Sequence, residues 1–252
     1  MGSSHPDTLT TLNNLAMLLK AMGRYDEALP LVQRSLEGCE KSLGYSHPDS
    51  LTTLSNMGML LKAMGRSKEA EAILRRALAI RISTLGPSNP STLASINNLA
   101  LVLEALGSLE EAEQHHRRAL KARQEVLGPN HPDTLNSLNN LAMLLLKLGD
   151  LAEAEPMMRG ALQGCNEILG AEHPDTLKTA SNLAVLLESL NGRGEAAAVL
   201  QERPEAPGNM PPVRRTSGGS EEQRKEAARK AAQAVEEATR QRQRSIVLDS
   251  PG

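Results

Sequence analysis

The feature that most restricts what this chain can fold into is a period of 42 residues. A five-residue signal opens each period: His5-Pro6-Asp7-Thr8-Leu9, His47-Pro48-Asp49-Ser50-Leu51, Asn89-Pro90-Ser91-Thr92-Leu93, His131-Pro132-Asp133-Thr134-Leu135 and His173-Pro174-Asp175-Thr176-Leu177. Five copies at one spacing mean a repeat array, in which each unit buries its apolar face against its neighbours. The 252 residues are therefore counted in units rather than in domains of average length. An array over 5–203 is expected, with complete repeats at 5–46, 47–88, 89–130 and 131–172 and a partial one at 173–203.

Each unit reads as two helices. In the fourth, Pro132 suits the first helical position, where a missing N–H costs nothing, and Asp133 sets negative charge against the helix dipole. Helix A runs to about Leu148, with Leu135, Leu138, Ala142 and Leu145 along one face and Leu141 and Leu148 widening it. Gly149 closes it as a left-handed cap, as do Gly23, Gly65 and Gly107 in earlier units. Helix B begins near Asp150, carries Ala154, Met158, Ala161, Leu162, Cys165 and Leu169 on one face, and ends at Gly170. Pro30 and Pro156 fall about a turn inside helix B, where each removes one backbone bond.

Two columns of small residues mark where helices approach closely. One holds Ala16, Gly58, Ala100, Ala142 and Ala184 on helix A; the other holds Ala28, Ala70, Ala112, Ala154 and Ala196 on helix B. With no Trp, no Phe and two Tyr, the core between them is packed from Leu, Ala, Met and Ile.

The order Asn-Leu-Ala, Gly, Glu-Ala and Ala-Leu, seen as Asn140-Leu141-Ala142, Gly149, Glu153-Ala154 and Ala161-Leu162, resembles the tetratricopeptide (TPR) repeat. The 42-residue period with a leading His-Pro-Asp and a closing Leu-Gly is similar to the kinesin-light-chain class of that repeat. The resemblance covers residues 5 to about 202 and implies an all-α, right-handed solenoid of helix-turn-helix repeats. The usual aromatic positions are filled here by Leu12, Leu54, Ile96 and Leu138, and by Leu19, Leu61, Leu103, Leu145 and Leu187.

Beyond the array the pattern breaks. Asn191 stands at the turn glycine of the fifth unit and Pro204 stops its second helix. Residues 204–219, rich in Pro and Gly, read as a linker. From 220 to 244, opened by a Ser220–Gln223 capping box, a charged Ala-rich helix is expected; its seam of Ala227, Ala231, Ala234 and Ala238 is too small to drive a strong coiled coil. Residues 245–252 read as a disordered tail. Arg214-Arg215-Thr216-Ser217 and Arg242-Gln243-Arg244-Ser245 carry the short pattern of basophilic kinase sites.

Several function classes are excluded by what the chain lacks. The formal charge is −2, and residues 203–252 hold ten basic and seven acidic groups, which leaves the preceding part at −5 and argues against a nucleic-acid binder. The scarcity of aromatics removes stacking platforms for single strands. No apolar run reaches the ~18 residues of a membrane helix, no signal peptide opens the chain, and Pro6 stands where a myristoylation signal wants Ser or Thr. Cys39 and Cys165 hold one position in repeats one and four. Six helices packed at 8–10 Å would hold them about 50 Å apart, too far for a disulfide. They read as reduced thiols in a cytoplasmic protein, which the resemblance extends to association with the cytoskeleton.

Catalytic and ligand patterns are equally sparse. His-Pro-Asp also marks the chaperone-activating J-domain, where it occurs once in a loop; here it occurs four times at helix starts and is read as a cap. His115 and His116 point about 100° apart on a helix, and His116 fills the slot of Val32, Leu74 and Met158, so it is read as a packed histidine. No metal spacing, phosphate loop or nucleophile motif occurs, so neither an enzyme nor a cofactor is expected.

One face of helix A carries polar residues that a core would not choose. In the fourth unit it comprises Asn136, Asn139, Asn140, Met143 and Lys147; the others present Asn13, Asn14, Met17 and Lys20, then Ser55, Asn56, Met59 and Lys62, then Asn97, Asn98 and Leu101, then Ser181, Asn182 and Val185. In TPR arrays helix A lines the concave surface, so the resemblance implies a ladder of amides flanked by an apolar stripe. Amides satisfy the backbone of an extended peptide and Met adapts to varied side chains. For the Asn14, Asn56, Asn98, Asn140 and Asn182 column the alternative is bonding only to neighbouring repeats. Charge changes along this face, from Lys20 and Lys62 to Glu104 and Glu188, which would orient a bound peptide. A chaperone-type carboxylate clamp needs a basic residue where Asn13, Ser55, Asn97, Asn139 and Ser181 stand, and is disfavoured.

The expected function is a non-enzymatic module binding an extended peptide of a partner protein, with no nucleic acid and no membrane involved. The kinesin-light-chain resemblance implies an adaptor. That family joins its motor through a coiled coil ahead of the repeats, which this sequence does not show, so a fragment, a stand-alone adaptor or part of a larger sensor remain alternatives. A self-associating scaffold is the other class.

Overall fold

The computed structural model describes residues 5–191. Among these, nine α-helices follow one another without a strand: α1 (Pro6–Ala21), α2 (Tyr25–Leu43), α3 (Pro48–Ala63), α4 (Ser67–Leu85), α5 (Pro90–Leu106), α6 (Leu109–Leu127), α7 (Pro132–Leu148), α8 (Leu151–Leu169) and α9 (Pro174–Asn191). The second helix expected in the fifth repeat, the linker at 204–219, the helix at 220–244 and the tail at 245–252 lie outside the described residues.

The chain divides into two units between Val126 and Leu127. In the first, α1 packs on α2 and α3, α2 on α3, α3 on α4 and α5, and α4 on α5. In the second, α7 packs on α8 and α9, and α8 on α9. Within these units α1, α3 and α7 each touch their own B helix and the next A helix, which is the repeat arrangement that the 42-residue period implies.

Helix starts carry the cap that His-Pro-Asp implies, and its first residue supplies the capping atom. Proline and aspartate do occupy the first turn, but the ring before them is the cap: His5, His47, His131 and His173 accept the backbone N–H two residues on at Nδ1, at 3.3, 3.2, 3.1 and 3.2 Å. Asn89 does the same with its amide oxygen at 2.9 Å. The cap backbone is extended, φ −66° and ψ 139° at His131, which leaves the first helical donors facing the ring.

The A helices end where glycine permits a left-handed turn, as at Gly149 with φ 83°. The next helix is then started in different ways. Asp150 accepts from the Glu153 N–H at 3.3 Å. Arg24 and Arg66, at the same position in repeats one and two, instead clamp Glu27 and Glu69 through paired bonds.

The core repeats with the chain. Leu9, Leu51, Leu93 and Leu135 are buried, and so are Ala28, Ala70, Ala112 and Ala154 where A and B helices meet. Ala16 lies in one cluster with Val32. At the equivalent point of repeat two stands Gly58, and a Cβ added there would lie 2.8 Å from both Cγ and Cδ2 of Leu74. The bulkier partner thus requires the smaller residue. Gly38 and Gly164 likewise admit the side chains of Leu9 and Leu135.

Candidate functional site

The amide columns of helix A are joined across repeats. In the first unit Asn56 donates from Nδ2 to Oδ1 of Asn13 at 3.1 Å. In the second Asn182 donates to Asn139 at 2.9 Å. Both bonds span 43 residues, one period and one step, because the A helices lie side by side and the later amide meets the earlier one across the joint. Asn140 donates to Asn136 in its own helix at 3.0 Å. Bonding between repeats, one of the two alternatives for this column, is therefore present at Asn56 and Asn182. Asn56 and Asn182 each keep a second N–H and an oxygen to offer.

Burial varies along both columns. Asn14 is exposed and Asn56, Asn98 and Asn182 are half-buried, whereas Asn97, Asn139 and Asn140 are buried, Asn139 to 3% exposure. Asn13 is half-buried. Met17, Met59, Leu101 and Met143 are all half-buried beside them, as are Lys20, Lys62 and Lys147. Burial lowers the Lys20 ammonium below its ordinary pKa, since desolvation disfavours the charged form. Lys147 stands one residue past the Lys20 and Lys62 column, whose occupant in repeat four is the buried Leu146.

Glu104 does not present its charge on this face. Its side chain is buried and Oε1 lies 3.0 Å from Nε2 of the fully buried His116. The expected run of charge from Lys20 to Glu188 therefore loses this member. His116 is the packed histidine expected from its slot, with a buried carboxylate as partner.

One column crossing the helix B register was read only in part. The position shared by Cys39 and Cys165 is filled by Arg81 in repeat two and Arg123 in repeat three, and all four are buried. The guanidinium of Arg81 donates to Ser55 Oγ at 3.0 Å, to Ser95 Oγ, and to Thr52 Oγ1 at 3.5 Å. Burial lowers its pKa from the ordinary value. Both cysteines are free thiols, and burial raises the pKa of each, which keeps them protonated and unreactive; hydrogen bonds to Ser35 and Thr53 partly offset this at Cys39, and one to Thr179 at Cys165. The signal for this column was the 42-residue register itself, applied to residues of different chemistry.

A small pocket of about 90 Å³ opens beside Cys165 in the second unit. Asn136, Asn139, Cys165 and Thr179 line it, with Asp133, Asp175 and Lys178 at its exposed rim. It gives the buried Asn139 a route to solvent. Among the described residues no group of three or more His, Cys, Asp or Glu side chains is arranged to hold a metal ion, and no helix is long and apolar enough to cross a membrane.

The repeat geometry has counterparts among known proteins. The tetratricopeptide repeat profile matches residues 7–83, 91–159 and 135–203. Comparison with curated proteins finds no match. Among solved structures, the nearly identical kinesin-light-chain TPR-like repeats of Podosopora anserina superpose with a TM-score of 0.63 at 28% identity, covering 78% of this chain and 93% of that one. BtubC (BKLC) from P. vanneervenii shares the fold, with a TM-score of 0.65 at 21% identity over 84% of this chain and 89% of its own. A Rap protein solved with competence and sporulation factor shares it too, with a TM-score of 0.64 at 15% identity over 78% of this chain and 53% of its own. Arrays of this kind typically serve as non-enzymatic scaffolds for protein interaction. With its repeated helix pairs, cross-repeat amides and matched profile over most of its length, the chain belongs to the tetratricopeptide repeat family and has an all-α solenoid fold of the kinesin-light-chain-like kind.

Proposed function

We propose that the chain is a non-enzymatic adaptor whose helix A face holds an extended peptide segment of a partner protein. The observation that carries this reading is the amide column: in the first unit Asn14, Asn56 and Asn98 keep surface accessible beside half-buried Met17, Met59 and Leu101, so that backbone donors and acceptors of a peptide meet amides while its side chains meet an adaptable apolar stripe. The Rap protein solved with a bound factor supports the use of this fold for partner capture, and the kinesin-light-chain likeness supports an adaptor at the cytoskeleton. Nucleic acid and membrane have no part in this reading.

The test is selection from a displayed library of random peptides on the immobilised chain. The wild type enriches a peptide set; the Asn56→Ala, Asn98→Ala, Asn140→Ala triple variant loses it while its circular dichroism stays helical. Because Asn56 and Asn140 also bond within the array, the variant costs about 1 kcal/mol of stability per lost bond. Undiminished enrichment by a folded triple variant overturns the assignment. A second reading, self-association, is favoured by Leu15 and Leu18 on α1 and Met22 at its end, which stand exposed.

A further inference from the structure

We infer that the pocket beside Cys165 is a receptor for one guanidinium group, delivered as an arginine side chain by a bound peptide. It deepens the groove reading, on which it rests, by naming the chemistry of one subsite.

The chain itself contains the filled form of this pocket. Two periods separate the second repeat from the fourth, so Thr52, Ser55, Arg81 and Ser95 correspond to Asn136, Asn139, Cys165 and Thr179. The first set is Arg81 with its three hydroxyl partners. The second set lines the pocket. Where unit 1 sends a long side chain with a planar cation among three acceptors, unit 2 has a thiol that stops at its first atom beyond Cβ. The space that remains is about 90 Å³, whereas a void needs only ~10–15 Å³ to take one water. It therefore has room for a group of several heavy atoms.

One acceptor is kept in kind and in attachment, and amide oxygens stand in for the other two hydroxyls. Ser95 donates its own proton to the Ser91 carbonyl at 3.2 Å, which turns its lone pairs toward Arg81. Thr179 donates to the Asp175 carbonyl at 2.8 Å, four residues back in the same way. Asn139 and Asn136 each accept one amide bond, at 2.9 and 3.0 Å, and an amide oxygen has a second lone pair to give. A planar fork with five donors suits several acceptors spread around one hole, whereas an ammonium is a compact point charge.

Charge favours the same ligand. Asp133 and Asp175 stand at the rim, and Asp175 replaces the neutral Ser91 of the filled site. With Lys178 the rim has a formal net charge of −1, the same as Asp49, Ser91 and Ala94 give the corresponding positions of repeat two, but it places a carboxylate at Asp175. An arriving arginine would meet the Asp175 carboxylate where the filled site has the neutral Ser91, and hydrogen bonds to ionised acceptors are roughly twice as strong as neutral ones.

The test uses the full chain, labelled with nitrogen-15 and titrated with methylguanidinium at low millimolar concentration. The side-chain amides of Asn136 and Asn139 and the backbone amide of Thr179 are expected to shift and saturate, with at least tenfold weaker response to methylammonium at equal ionic strength. Cys165→Arg places the chain's own guanidinium in the hole and abolishes the response, and Cys165→Ser retains it. Asp175→Ser, an exposed rim change to the residue found in the filled site, weakens binding at least threefold and decides the matter if Cys165→Arg does not fold. Absence of saturable shifts in the wild type, equal response to methylammonium, an unaltered response in folded Cys165→Arg, or no weakening in Asp175→Ser each overturns the proposal. Failure here leaves peptide selection by the helix A face standing, while guanidinium saturation without any peptide enrichment overturns the groove alone.

Discussion

At Gly58 a single methyl group decides how closely α3 lies against α4, since its Cβ would meet the branched end and Cγ of Leu74 at 2.8 Å. Alanine in a helix gains ~0.5–1 kcal/mol over glycine from backbone entropy, but overpacking a tight core costs ~1–3 kcal/mol. Gly58→Ala is therefore expected to lower stability in urea unfolding by about 1 kcal/mol net, and adding Leu74→Val, the pairing of Ala16 with Val32 found in repeat one, should recover part of the loss. Additive effects of the two changes would refute this account, because residues in contact are expected to couple. The sequence shows Gly58 as a member of a small-residue column, but the reason for glycine over alanine is a distance to one particular neighbour and has no local signature. The same holds for Arg81: its burial depends on Ser55 and Ser95 from two other helices, and a lone arginine in a helix normally reads as surface.

Helix boundaries were legible because proline and glycine announce them, and His-Pro-Asp was legible as a cap, whereas the capping atom within it was not. Histidine is absent from the residues usually ranked as strong N-caps, yet the ring at His131 holds the Asp133 N–H at 3.1 Å. The clue lay in repeat three, where Asn89, a strong N-cap residue, occupies the same slot. His131→Ala is expected to cost ~0.5–2 kcal/mol, the usual value of a lost cap; His131→Asn should be neutral or stabilising, as read from thermal melts. An alanine variant as stable as the wild type would show that the ring contributes no cap. Between helices, the amide face was recognisable by its composition, but which amide faces a neighbour was not. That depends on the sideways step between adjacent A helices, which places Asn56 against Asn13 and not against Asn14.

For the molecule as a whole, one period fixed fold class before any packing was known, since five related openings at one spacing admit little else. What such a period leaves open is how an array meets its surroundings at its first helix. There Leu15 and Leu18 of α1 and Met22 at its C-cap are exposed, Leu18 to 58%, and an apolar face of this kind favours association. Sedimentation of the full chain is expected to show a mass that rises with concentration, and Leu18→Glu to hold it at the monomer value with helicity unchanged. A wild type that is monomeric throughout would remove self-association as a reading. The filled and open forms of one pocket also bear on how the array changes over time. Steric compensation is contained within a helix pair, as Gly58 with Leu74 and Gly164 with Leu135 show, while polar bonds such as Arg81 to Ser95 and Asn182 to Asn139 cross to the next pair. Whole repeats can thus be duplicated or lost without upsetting their internal fit, but each such event rewrites the seam between new neighbours, so the order of repeats, more than their number, determines which seams are closed and which are open to a ligand.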